Sequence, residues 1–263
     1  MKKLVLFSSI LAISFGSCKK EDSQIQGPAP STYSPQDRTT SVLNPFENLG
    51  ALHNEAMDYV GQSPNLGAMT RYQKYESVYN FNQTYYASTK MGTEEFSTFV
   101  GQIDLLVAAG KNAPAELYRN GKINQRMRGL LDTLYTILLE TAEGGLPLDP
   151  VTMTGAVKTF EANVVLHYGM PDANTSVNTD IAMVMAGSAI ARYSYAYWYN
   201  ANINPTSPWH PIIKDDPLSR TWIGVALADI GDFFSSTCFY NDLSVWDLNC
   251  AWANGAEASA SAK

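Results

Sequence analysis

Side chains able to do acid–base or metal chemistry are sparse in this chain. Its three histidines are His53, His167 and His210. His53 stands in the stretch LHNEAMDYV, with Asn54 beside it and Asp58 five positions on. On a helix Glu55 falls on a different face from His53, so a ligand set or an oriented base here must draw its partners from distant segments. The other reading is a polar residue hydrogen-bonded at a helix packing edge. The chain has neither an HExxH pair nor a Glu followed three residues later by His, so the zinc-protease and di-iron signatures are absent. A GxSxG elbow, a P-loop and a Gly-rich dinucleotide fingerprint are absent as well. No cofactor or metal is predicted.

Glu140 and Glu143 form the one carboxylate pair at helical spacing that invites a catalytic reading. Placed on one face near a helix C-terminus, they could act as acid and base or bind Ca²⁺ with help. The competing reading is a solvated last turn, where the helix dipole disfavours them. The paired acids Asp215 and Asp216 ahead of Pro217 are accounted for by helix capping.

The elements that must position these residues read as helices. Asn44-Pro45-Phe46-Glu47 supplies an N-cap, a proline for the first turn and an acid at N3. Phe46, Leu49, Leu52 and Ala56 then keep to one face, which predicts a helix from Pro45 to Val60. A second helix carries Tyr72, Tyr75, Tyr79 and Tyr86 near one face, either a core row with its hydroxyls at the rim or a surface for stacking sugars. Thr93 with Glu94 and Glu95 starts a third. Pro114 opens a fourth, with a break near Asn120-Gly121, that runs on through Leu138 and Leu139 to Gly144-Gly145. Asp149-Pro150 starts a fifth, and Asn178 or Thr179 a sixth. From Ile181 to Ala191 the sixth is apolar almost all round, which predicts a central position. It runs into RYSYAYWYN, whose period-two tyrosines suggest a strand but follow an alanine-rich helix without a breaker. A seventh helix follows Asp216-Pro217 through Trp222, Asp229 and Phe233. The fold class is therefore all-α: a single irregular bundle of about seven helices over residues 44–253.

The ends of the chain speak to location. Lys2 and Lys3 precede an apolar run, Leu4 to Phe15, and then Gly16, Ser17 and Cys18. The run is shorter than the ~20 residues that cross a bilayer, and the order of charge, apolar core and small residues is that of a secretory signal peptide over 1–17. The segment FGSC resembles the lipobox of bacterial lipoproteins, which implies cleavage before Cys18 and lipid on its thiol; Phe15 departs from the aliphatic residue usual there. The following KKEDSQ resembles the export signal of Bacteroidota lipoproteins bound for the outer face of the outer membrane, and also suits a solvated tether. Residues 18–43, rich in Pro, Ser, Thr and Gln, form a flexible tether, and 254–263 a disordered tail. Within an exported chain, Cys238 and Cys250 make a reasonable disulfide, worth about 3 kcal/mol on the chain-entropy model. The alternatives are two buried thiols or half of a metal site, the latter disfavoured because no further cysteine or nearby histidine completes it.

The stretch NPFENLGALHNEAMDYV resembles the opening of a group of uncharacterised Bacteroidota lipoproteins, through Asn44, Pro45, Phe46, Gly50, His53, Asn54, Asp58 and Tyr59. The resemblance covers seventeen residues and implies no activity. Formal charge is −7, or −9 once Lys2 and Lys3 leave with the signal. That balance argues against a nucleic-acid partner, because phosphate neutralisation supplies most of such binding. Three functions remain open: a lipid-anchored, surface-displayed module binding a glycan or protein; a cell-wall or glycan hydrolase whose carboxylate pair the fold assembles; and a structural or immunity-type lipoprotein without a small ligand. The expected partner in all three is the membrane, through Cys18.

Overall fold

The longest helix organises the others. In the computed structural model the described residues are 44–84, 90–140, 146–171, 179–214, 222–235, and the two positions Ala256 and Ala260. Helix α7, Thr179–Ile203, buries every residue from Ile181 to Arg192 and continues through the tyrosine stretch without a break. An apolar surface on all sides cannot face water, so α1 (Glu47–Gly61), α5 (Gln125–Leu138), α6 (Pro150–Tyr168) and α9 (Trp222–Ser235) pack around it. Each large aliphatic side chain closed into such a core contributes about 1.5–3 kcal/mol. Helix α2 (Arg71–Asn82) lies against α1, and α3 (Thr93–Ala109) against α9; the short α4 (Ala113–Arg119) joins α3 to α5, and α8 (His210–Lys214) sits beside α7. All described residues belong to one compact unit, Ser34–Lys263.

Most starts follow local capping chemistry. Asp149 caps α6 by accepting from the amides of Val151 and Thr152, and Asn124 caps α5 through Met127 N. Thr70 and Gln73 close a reciprocal capping box on α2. At α3 the N-cap is Gly92 rather than Thr93, and Glu95 reaches back to accept from the Gly92 amide at 2.9 Å. Helix α1 begins at Glu47, not Pro45, because Asn44 turns the chain first: its Oδ1 accepts from Phe46 N at 3.0 Å. The break near Asn120-Gly121 is complete. Gly121 adopts φ +68°, a left-handed conformation that costs glycine little, and the predicted fourth helix becomes two. That division and the five-residue α8 take the expected seven helices to nine among the described residues. Within the stretch 254–263, expected to be disordered, the two described residues, Ala256 and Ala260, are helical and buried in the core.

Two glycines set how closely helices approach α7. A Cβ on Gly50 of α1 would come within 2.3 Å of the Tyr193 ring and 2.8 Å of Ala189 O. On Gly187 it would meet the Phe234 ring at 2.5 Å, so α9 also rests directly on the backbone of α7. These contacts bring polar side chains from three helices together in the interior.

Candidate functional site

Two polar clusters lie inside the bundle, both built on α1 and α7. In the first, His53 of α1 places Nε2 3.1 Å from Oδ2 of Asp229 on α9, with both side chains at 0 % exposure. The contact is ionic; its angle misses a good hydrogen bond. The other ring nitrogen, Nδ1, faces Asn54 Oδ1 at 3.0 Å. Ser194 of α7 donates its hydroxyl to the same Asp229 Oδ2. Asp229 Oδ1 and the buried Tyr135 hydroxyl on α5 have no hydrogen-bond partner among the described residues. Burial works against a charged His53 ring, yet the Asp229 charge close beside it, with the Asn54 bond, holds its pKa above the ordinary value. Burial and then the Asp229 charge push the Tyr135 hydroxyl up, so it stays protonated.

The second cluster centres on Arg192, 4 % exposed. Its Nε lies 3.1 Å from Glu161 Oε1 on α6, and its Nη2 lies 2.7 Å from Glu47 Oε1 in the first turn of α1. Ser188 donates to Glu161 Oε1 at 2.7 Å. The Asn44 amide donates to Glu161 Oε1 at 2.7 Å and to Met185 O at 2.9 Å. One guanidinium with five fixed donors thus holds two carboxylates, and the residue where the folded part begins is bonded into the same network.

Neither cluster has the order of a nucleophilic triad. There the imidazole stands between hydroxyl and carboxylate and takes the hydroxyl proton. Here the carboxylate stands between, so Ser194 gives its proton to a bond with Asp229 and has no base beside it. The acids that converge, Glu47 and Glu161, are bridged by the Arg192 guanidinium rather than set on either side of an open cleft. Among the described residues no three His, Cys, Asp or Glu side chains gather as a metal site.

The residues singled out in the sequence separate. His53 and Asn54 share the first cluster, whereas Asp58 is exposed and accepts from Tyr197 on α7 at 3.0 Å. Glu140 is not on a helical face: α5 ends at Leu138, and Glu140 follows the C-cap as an exposed residue. Leu139, the C-cap, still packs partly on the core, and after it nothing apolar follows until Leu146 except the small Ala142. Glu143, Cys18, Cys238 and Cys250 lie outside the described residues, as does Tyr86. The tyrosine row is core at its centre: Tyr75 is buried, and Tyr72 and Tyr75 bond the backbone of Met91 through their hydroxyls while packing on Phe96.

Asp229, Ser194, Tyr135, Glu161 and Arg192 were not singled out. The signal that could have found Asp229 is a carboxylate inside WIGVALADIGDFF, where the apolar neighbours leave it no solvent face. Arg192 in an otherwise apolar run carries the same signal. On the surface, Tyr118 and Tyr168 are 41 % and 39 % exposed, and Arg128 and Arg126 stand over their rings at 5.4 and 5.6 Å. From Arg119 to Arg128 the chain holds four cations and no acid. Glu116, Asp180 and Asp132 flank them as ion-pair partners.

Compared with family models, curated proteins and solved structures, the chain matches none of them. No described helix is long and apolar enough to cross a membrane.

Proposed function

We propose that this protein is a lipid-anchored module of the cell envelope, held by lipid on Cys18, displayed on the outer membrane surface, and working through surface contacts with a glycan or protein. The observation that carries the anchor is the order Lys2-Lys3, apolar run, Gly16-Ser17-Cys18 and polar tether. Several acyl chains at one cysteine hold a domain far more firmly than one, since each buried CH₂ contributes about 0.8 kcal/mol.

The polar interior supports binding over catalysis. A hydrolase of glycan material needs two carboxylates flanking a substrate cleft, one of them able to give a proton. The acids that meet in this bundle meet behind buried helices and are neutralised by Arg192 or set against His53. The exposed Tyr118 and Tyr168, each under an arginine, offer the residue types that anchor interfaces. A structural or immunity-type role is the reading left if that face proves to bind nothing.

Protease shaving of intact cells, combined with mass spectrometry of the N-terminal peptide, tests the proposal. Removal of the domain from whole cells together with a lipid-modified Cys18 is the expected result. An unmodified Cys18 sinks the anchor, and a domain that survives shaving moves it to the periplasmic face.

A further inference from the structure

A neutral imidazole at His53 could satisfy only one of its two neighbours, because both ring nitrogens face oxygens: Asn54 Oδ1 at 3.0 Å and Asp229 Oδ2 at 3.1 Å. A ring with one proton would turn a lone pair on one of those oxygens. If Asn54 rotates its amide to relieve that clash, the one ring proton can stay on Nε2 towards Asp229, but the carboxylate then has no counter-charge beside it. Both partners are completely buried, so water cannot take over. We propose that His53 and Asp229 form a proton-operated latch, in which the doubly protonated ring ties α1 to α9 and loss of one proton loosens α1.

The surroundings leave the latch as the neutralising contact for Asp229. On α7 the closest cation in sequence to Ser194 is Arg192, and its guanidinium is committed to Glu47 and Glu161. On α9 the other ionisable group is Asp232, a second acid, also buried. From α5 the facing group is the Tyr135 hydroxyl, which stays neutral. On α1 itself the flanking groups are Asn54 and Glu55, the latter only partly buried. On α2, which packs on α1, Lys74 is buried with its ammonium over the Trp209 ring at 5.9 Å, while α3 brings Asp104, paired with Arg71, and α4 brings Glu116, paired with Arg119. Among the described residues the cation in contact with Asp229 is the His53 ring. The burial that opposes its charge is outweighed by Asp229, so the folded protein holds the proton above the ordinary histidine range.

The sign of the linkage follows. A group with a raised pKa in the folded state contributes its full stability below about 6.5, its ordinary value, and loses it as pH rises through the folded value. Over that interval up to one proton leaves per molecule that opens, so the opening constant climbs with pH, by at most tenfold per unit, and then levels off. The latch makes α1, the helix that leads into the tether, weakest on the alkaline side. This inference concerns the folded domain alone and stands whether or not Cys18 is lipidated.

The test uses the full chain carrying His167→Gln and His210→Gln, two sites outside both clusters, so that His53 is the one histidine. Nitrogen-15 NMR of the ring follows its protonation while urea unfolding is measured at each pH. The expected result is an imidazolium with two N–H protons at pH 6, a midpoint above 6.5, and an unfolding constant that rises with pH up to that midpoint and then levels off. With Asp229→Asn the slope disappears; should that variant not fold, the two curves on the parent chain decide the matter alone. A ring that is neutral at pH 6, or one that titrates without changing the unfolding constant, overturns the latch.

Discussion

Helix α1 is pinned to the rest of the bundle by two buried charge clusters, and they solve the same problem in different ways. At its start, Glu47 and the preceding Asn44 join Arg192, Glu161 and Ser188 in a network rich in donors. Two turns on, His53 meets Asp229 through a single ionic contact, with Asp229 Oδ1 unbonded among the described residues. Arginine keeps its charge at any pH the cell meets, whereas histidine changes charge near neutrality. The first cluster is therefore a fixed clasp, and the second is one whose strength depends on the medium. Burying charge is costly in both places, and in each the cost is offset only while every partner remains.

The largest effect should come from breaking the clasp. Arg192→Met leaves Glu47 and Glu161 facing each other with no cation, and the loss should be about 3–5 kcal/mol, read from urea unfolding. The loss should persist across pH 6–9, since arginine does not titrate there. Asp229→Ala, by contrast, strands an imidazolium at low pH and a nearly neutral ring at high pH. Its cost should approach about 3 kcal/mol at pH 6 and shrink on the alkaline side. If the two variants show the same pH profile, the difference between the clusters is lost.

Between these and the smallest effects lies the close packing that holds both clusters in place. Gly187→Ala puts a methyl group against Phe234 at the α7–α9 contact, and overpacking of this kind costs about 1–3 kcal/mol by thermal or urea unfolding. Asn44→Ala removes the amide's bonds to Glu161, Met185 O and Ser188, and the turn bond from Phe46 N, but leaves the cluster's charges paired, so about 1–2 kcal/mol is expected. Asp149→Ala, remote from both, should shift thermal unfolding least. Its side chain accepts from Thr152 and from the first amides of α6, which lowers its pKa, so what it contributes is present above the ordinary carboxylate range and fades as pH falls through the folded value.

Local chemistry made most of the fold legible. Asp149-Pro150 starts α6 where capping rules place it, Gly121 ends the α4 segment, and the apolar run from Ile181 marks α7 as central. The misses at Thr93 and Pro45 are shifts of one or two residues, decided by whether a side chain or the backbone makes the first bond. The clusters were less visible. His53 was noticed with Asn54, but its partner lies on α9, and Glu161 and Arg192 reach across 31 positions of sequence. Periodicity shows which face of a helix is buried and not which helix will lie on it. Asp58, grouped with His53 in the sequence, turns outward to Tyr197 because five residues on a helix place it about 140° round from His53.

That the interior charges serve the fold while contacts are made at the surface is the claim most exposed to test. Modification of the native protein with diethyl pyrocarbonate at pH 7.5, followed residue by residue by mass spectrometry, compares buried His53 with exposed His167 in one experiment. The account predicts that His167 is carbethoxylated while His53 remains unmodified until the protein unfolds. Rapid modification of His53 in the native state would mean that reagents reach the His53–Asp229 pair, and would return that pair to consideration as an active site.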